Sequence, residues 1–205
     1  RKALAMKLCL FQGTFNPIHN AHLKICEYAK EKFHFDKILV IPAANPPHKK
    51  VDENLSYHRL KMAQLAVLDK EYLEVSDIEY LRDGLSYTYL TVKELYEKYD
   101  IEGKINFIIG TDAFKKIESW YESDKLKDML DFILFAREGE KELEADATYL
   151  QNLREKGYNY KMMTLPFMDI SSTKIRENIY NSVPIQKLVP AEVEKYIDKY
   201  GLYRK

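Results

Sequence analysis

Apolar runs of strand length alternate with stretches of helical period along most of the chain. Residues 8–11 (Leu-Cys-Leu-Phe) form an unbroken apolar run that predicts a buried strand. Residues 37–42 predict a second strand, stopped by Pro42, and residues 72–75 a short third one. Residues 104–109 give the clearest central strand. Residues 131–136, ending at Arg137, give another, and residues 160–165 a weaker one. Between them, Leu23, Cys26, Ala29, Lys30 and Phe33 recur with helical spacing, as do Leu60, Ala63, Gln64 and Val67 within residues 57–68. A further helix is predicted over residues 89–99 and another after Ser171-Ser172. Residues 138–156 are acidic and then mixed; they predict a loop and an exposed helix, with no chemistry assigned. Strands alternating with helices indicate an α/β fold with an open parallel sheet and right-handed crossovers. No repeat, low-complexity segment or linker interrupts the chain, so residues 1–205 read as one domain.

The chemistry sits in the punctuation. After the first strand Gly13 and Thr14 turn the chain, and Pro17 keeps Asn16 out of the helical region. His19 and His22 then straddle the predicted helix start. A strand, a glycine turn and a helix N-terminus present orphan N–H groups to an anion, and two imidazoles there add donors for phosphate chemistry. Residues 43–51 form a loop in which Pro46-Pro47 stiffens a basic tip, His48-Lys49-Lys50. Asp83-Gly84 breaks the pattern before Ser86-Tyr87-Thr88, where Ser86 or Thr88 can cap the next helix. Gly110-Thr111-Asp112 follows the central strand, where ligands of open α/β sheets gather. Trp120 reads as a half-buried anchor or, beside a ring-bearing substrate, a stacking wall. Late in the chain Ser171 or Ser172 can cap a helix on which Arg176 and Thr173 share a face, a second anion site.

Composition narrows the partners. Thirty-two basic residues balance 32 acidic ones, so no global field draws nucleic acid or a membrane, and anion binding must be local. No run approaches the ~20 apolar residues of a membrane span, and no signal-peptide pattern is seen. Cys9 and Cys26 lie in apolar contexts and read as reduced, which suits the cytoplasm. Met6 is the expected native start, with residues 1–5 an expression remnant. Sixteen scattered tyrosines read as half-buried packing residues. Neither a Gly-x-Gly-x-x-Gly fingerprint nor a Walker loop occurs.

The string Gly13-Thr14-Phe15-Asn16-Pro17-Ile18-His19-Asn20-Ala21-His22 resembles the Gly-[Ser/Thr]-Phe-[Asp/Asn]-Pro-x-His-x-Gly-His signature of the nucleotidyltransferase superfamily. More narrowly it is similar to that of bacterial nicotinate-nucleotide adenylyltransferases. Gln12 stands where the signature has a first glycine, and Ala21 where it has the glycine between the histidines. Pro46-Pro47-His48-Lys49, Ser86-Tyr87-Thr88 and Ile170-Ser171-Ser172-Thr173-Lys174-Ile175-Arg176 match later family motifs. Val189-Pro190, Val193, Tyr196-Ile197 and Gly201-Leu202-Tyr203 resemble the family's last helix. The likeness runs from about Lys7 to Tyr203, weakest between Glu138 and Tyr160.

The resemblance implies a Rossmann-like domain with helices on both sheet faces and a C-terminal helical segment. It implies transfer of AMP from ATP to nicotinate mononucleotide, giving deamido-NAD and pyrophosphate in NAD biosynthesis. His19, His22 and Arg176 become the implied catalytic residues. Gly13, Thr14, Phe15, Lys49, Gly110, Asp112, Ser171, Ser172 and Thr173 become the implied ATP and phosphate site. Tyr87, Thr88, Trp120 and Arg137 become the implied nicotinate-nucleotide site. Mg²⁺ is expected to arrive with ATP, with no metal site of the protein's own. With donors and no activated Cys or Ser, direct in-line attack by the mononucleotide phosphate is the expected route. Rival readings are an adenylyltransferase for phosphopantetheine or nicotinamide mononucleotide, and a catalytically silent nucleotide-binding regulator. A class I tRNA synthetase fragment would need anticodon-binding domains and a basic face, which the sequence lacks. Oligomeric state, a homo-oligomer included, is left open by the sequence.

Overall fold

The six apolar runs pair side by side into one parallel sheet. The strands are β1 (Leu8–Gly13), β2 (Lys37–Pro42), β3 (Leu73–Val75), β4 (Ile105–Gly110), β5 (Leu130–Arg137) and β6 (Tyr160–Leu165). Their order is β3-β2-β1-β4-β5-β6, and every pairing is parallel. Leu10 stands in register with Leu39 on one side and Phe107 on the other. The computed structural model describes residues 4–137 and 142–205, without the side chains of Arg137 and residues 142–146. The remnant expected at residues 1–5 thus lies largely outside the described residues.

Strand alternation splits the core in two. Cys9, Phe11, Ile38 and Val40 face one cluster, and Leu8, Leu10, Leu39 and Ile41 face the other. Both faces are apolar because helices cover both, which is why the strands read as unbroken hydrophobic runs. The first face carries α1 (Asn20–Phe33), α2 (Ser56–Ala66), α7 (Ser172–Tyr180) and α8 (Ala191–Tyr200), through Cys26, Met62, Ile175 and Val193. The second carries α3 (Thr88–Lys98), α4 (Thr111–Lys115), α5 (Ser123–Met129) and α6 (Glu142–Glu155), through Leu95, Phe114, Leu126 and Leu153. The helix expected to be exposed in residues 138–156 is α6, and it buries Leu150 and Leu153 against the sheet. Cys9 and Cys26 are buried free thiols that burial pushes well above their ordinary range. Among the described residues no helix is long and apolar enough to cross a membrane.

This strand order places the crossover reversal between β1 and β4. Connections leave the carboxyl ends of those two strands toward opposite faces, and a crevice opens between them.

Candidate active site

A cavity of about 640 Å³ occupies that crevice. Its floor is the end of β1 and β4: Phe11 to Gly13 and Phe107 to Gly110. Gly13 lies close under its own loop. Phe15 has φ 49°, and its ring turns back to within 3.0 Å of where a Cβ on Gly13 would stand. A side chain at position 13 would need that ring to give way by a few tenths of an ångström.

The two histidines cap one helix. His19 is the N-cap of α1 in extended conformation, and its Nδ1 accepts from the His22 N–H at 3.4 Å. The His19 N–H in turn donates to His22 Nδ1 at 3.0 Å. This is a capping box built from imidazoles, which leaves the rings stacked with centroids 3.6 Å apart and 18° between planes. Since each Nδ1 is an acceptor, a neutral ring carries its proton on Nε2. Burial, then His19 and Lys49, hold His22 well below the ordinary imidazole value, so it is neutral at pH 7. Helix capping has therefore selected the tautomer that presents Nε2–H as a donor.

Arg176 closes the site from α7. Its guanidinium donates to the Asn16 carbonyl at 2.8 Å and to Thr173 Oγ1 at 3.3 Å. Ser171 is the N-cap of α7, accepting from the Lys174 N–H at 3.1 Å, and Ser172 Oγ donates to the Pro17 carbonyl at 2.9 Å. The loop after β1 and the start of α7, some 155 residues apart in sequence, are thus one unit. Gly13, Thr14, Phe15, His19, His22, Lys49, Gly110, Ser171, Ser172, Thr173 and Arg176 all line the cavity.

The opposite wall is aromatic. Tyr87, Thr88 and Trp120 line it, and Tyr87 packs on Tyr121 with centroids 4.7 Å apart. Trp120 is half-buried, set edge-on to Phe107 of β4 at 6.0 Å. The capping expected of Ser86 or Thr88 goes elsewhere: Tyr87 is the N-cap of α3 and makes no side-chain cap bond. Ser86 Oγ accepts from the Asn45 N–H at 2.9 Å, tying the loop after β2, and the Thr88 hydroxyl donates to Gln12 at 2.6 Å.

One expected site residue is not brought into the cavity, and the side chain of another is not described. Asp112 is exposed in the first turn of α4, its carboxylate 3.8 Å from Lys115. Helical rotation of about 100° per residue gives its neighbour Ala113 the lining position instead. Arg137 ends β5, and its side chain lies outside the described residues. Among the described residues no Asp or Glu lines the cavity, and no group of three potential metal ligands occurs.

Sequence reasoning missed three contributors. Arg59 is fully buried, and its guanidinium donates to the carbonyls of Thr14 (2.7 Å), Ala43 (2.8 Å) and Ala44 (3.3 Å). Its placement at i, i+4, i+7 with Ala63 and Ala66 is a signal that could have put a cation on the buried face of α2. Tyr203 donates to the Asn16 side chain at 2.6 Å, anchoring the loop from the far end of the chain. Glu79, with 1% exposure, sits behind Thr88 and Gln12, and nothing local in sequence marks it.

Comparison with known proteins fits this arrangement. Residues 10–178 match the family profile described as cytidylyltransferase-like. The chain is 38% identical over 203 residues to a protein of Thermoanaerobacter sp. (strain X514) named "Probable nicotinate-nucleotide adenylyltransferase", covering 98% of this chain and 95% of that one. It is 38% identical over 200 residues to a protein of the same name from Desulfitobacterium hafniense (strain Y51), covering 97% and 96%. Among solved structures, the Plasmodium falciparum nicotinic acid mononucleotide adenylyltransferase complexed with NaAD aligns with a TM-score of 0.73 and 25% identity over 96% of both chains.

Proposed function

The chain belongs to the cytidylyltransferase-like family, among the nicotinate-nucleotide adenylyltransferases, and on that premise we propose how its cavity moves AMP from ATP to nicotinate mononucleotide. The observation that carries the reading is the pairing of walls across the β1–β4 crevice. Phosphate-seeking donors (His19, His22, Lys49, Arg176) face an aromatic wall (Tyr87, Trp120) in one cavity. Adenylyl transfer between two nucleotides needs a polar centre flanked by places for rings.

The phosphate of nicotinate mononucleotide is ionised at pH 7 and attacks the α-phosphorus of ATP in line. A phosphorus–oxygen bond forms to it as the bond to pyrophosphate breaks. No general base is needed, so the protein contributes position and charge stabilisation. Nε2–H of His22 and its stacked partner His19 donate to oxygens of the α-phosphate, Lys49 and Arg176 to the departing pyrophosphate, and the Ser171–Thr173 turn helps hold the phosphate chain. Mg²⁺ would enter as part of the ATP complex, held by the phosphates of ATP. The nicotinate ring lies against Trp120 with its carboxylate toward the uncapped N–H groups at the start of α3. Two buried free thiols support a cytoplasmic setting.

The test is pyrophosphate release from ATP with a panel of acceptors. Nicotinate mononucleotide should support turnover and phosphopantetheine should not. Release with phosphopantetheine alone would reassign the enzyme, and none with any acceptor would favour a silent nucleotide-binding regulator.

A further inference from the structure

Strand alternation decides where Gln12 points. Leu8 and Leu10 of β1 face the second cluster, under α3, and Gln12 two residues on faces the same way. A long polar amide therefore stands where the family signature has glycine. Its amide N–H donates to Oε2 of Glu79, and its Oε1 accepts from Thr88 Oγ1 at 2.6 Å. Glu79 Oε2 also accepts from Thr91 Oγ1 at 2.6 Å, and Arg82 donates to that hydroxyl at 2.9 Å. Glu79 and Thr91 are each 1% exposed. The proposed transfer step makes no use of Gln12, Glu79, Thr91 or Arg82.

We propose that Gln12 is a positioning residue for the nicotinate end of the cavity: it links the buried Glu79 carboxyl to the Thr88 hydroxyl and so holds the first turn of α3 against the end of β1. The inference rests on the reading that this turn receives the nicotinate group. With Glu79 ionised a flipped amide would set its oxygen against Oε2, because a carboxylate only accepts. Glu79 Oε1 makes no hydrogen bond, the nearby Ser86 hydroxyl included, so it is the oxygen left to carry a proton. Burial lifts the Glu79 carboxyl to about 7, and in its neutral form Oε2 still accepts from both Gln12 and Thr91. The Thr88 hydroxyl is thereby kept turned toward β1. Freed of Gln12, it becomes a rotor that can swing into the pocket and offer the substrate a competing donor or acceptor.

The test begins with Gln12→Met, which keeps length and removes both hydrogen bonds, and Gln12→Gly, which restores the family residue. The KM for nicotinate mononucleotide should rise roughly 5- to 50-fold in each, with the KM for ATP within about twofold of the original protein. Thr88→Val should give the same shift. The double variant Gln12→Met/Thr88→Val should be no worse than the larger single effect, because both remove the same Gln12–Thr88 bond. Glu79→Leu should match Gln12→Met, while Glu79→Gln, whose amide oxygen still accepts, should restore the KM to within about threefold. An unchanged KM in Gln12→Met or Thr88→Val, multiplying effects in the double variant, or an equal rise for ATP overturns the proposal. Should Gln12→Met fail to fold, Thr88→Val and the Glu79 pair decide the matter alone. An unsubstituted protein that does not adenylylate nicotinate mononucleotide removes the functional reading itself; an active one with indifferent variants removes only the role of Gln12.

Discussion

His22 is placed by one bond and, in the function proposed above, used through another. The His19 N–H occupies its Nδ1, so its remaining nitrogen is committed to donating, and low basicity keeps the ring neutral. A neutral donor gains most where charge builds up during the transfer. His22→Ala should therefore lower kcat by ~100-fold or more, since removal of one such donor costs ~3–4 kcal/mol, while the KM for ATP stays within a few-fold. Steady-state kinetics decide: a KM change with kcat intact would make His22 a binding group only. Glu79 shows the opposite shift. Burial raises its carboxyl to about 7, against the lowering effects of Thr91, Arg82 and Ser86, with Glu94 adding to the rise. A raised carboxyl contributes stability that is full below its unfolded value of about 4.5 and is lost as pH climbs through about 7. Between pH 5 and 8 the protein should lose on the order of 3 kcal/mol through this group. Glu79→Gln, which cannot ionise, should gain on the original protein across that interval in urea unfolding. A gap independent of pH would show that Glu79 titrates normally.

Elements converge on the loop after β1 by gripping its backbone. Arg59 of α2 holds the carbonyls of Thr14, Ala43 and Ala44, and so fastens the ends of β1 and β2 together. Its charge has Tyr80 and Tyr203 as its electrostatic neighbours rather than a carboxylate, and burial lowers its basicity. Arg59→Met should leave the buried Ala43 carbonyl and the partly buried Thr14 carbonyl without this donor, while Ala44 keeps Ser56 Oγ at 3.4 Å, and cost about 2–3 kcal/mol, measured as a lower denaturation midpoint with the urea slope unchanged. Arg59→Lys should fall between, because an ammonium lacks the planar fork that spans separated acceptors. A Met variant as stable as the original protein would mean that water already serves these carbonyls. Element types were legible because each one repeats a local pattern. The destination of a side chain was less so: Thr88 and Ser86 look like caps in one dimension, and their hydroxyls go to Gln12 and Asn45 in three.

Across the whole molecule, the sheet brings two helical layers to one crevice, with α1 and α7 on one side and α3 on the other. Choice between acid and amide belongs to this scale, because on the proposed reading the ring and its substituent meet segments far apart in sequence, Trp120 and the start of α3, which the second layer brings together. On the proposed reading, stacking on Trp120 would take either ring and so add affinity with little discrimination. The first turn of α3 has no side-chain cap, and its N–H groups suit a carboxylate, which only accepts. A carboxamide would set donor against donor there, at ~1–3 kcal/mol for each unpaired group. The expected preference for nicotinate over nicotinamide mononucleotide is roughly 10- to 10⁴-fold in kcat/KM. Equal values for the two mononucleotides would place the selecting group elsewhere and leave the transfer chemistry untouched.

The sequence by itself determined the strands, most of the helices and the helix start that the two histidines straddle. These depend on periodicity, glycine and proline, and on contacts within a few residues. The motifs around His19 and Arg176 were equally legible, since a capping box and a helix start are local devices. Tertiary structure alone decided that β1 and β4 lie side by side, which makes the crevice. It turned Asp112 outward, joined Tyr203 to Asn16 across 187 residues, and set Glu79 behind Gln12. The physical reason is range. Local order follows from backbone sterics and spacing, whereas the partner of a buried polar group is whichever distant group the packed layers deliver to hydrogen-bonding distance.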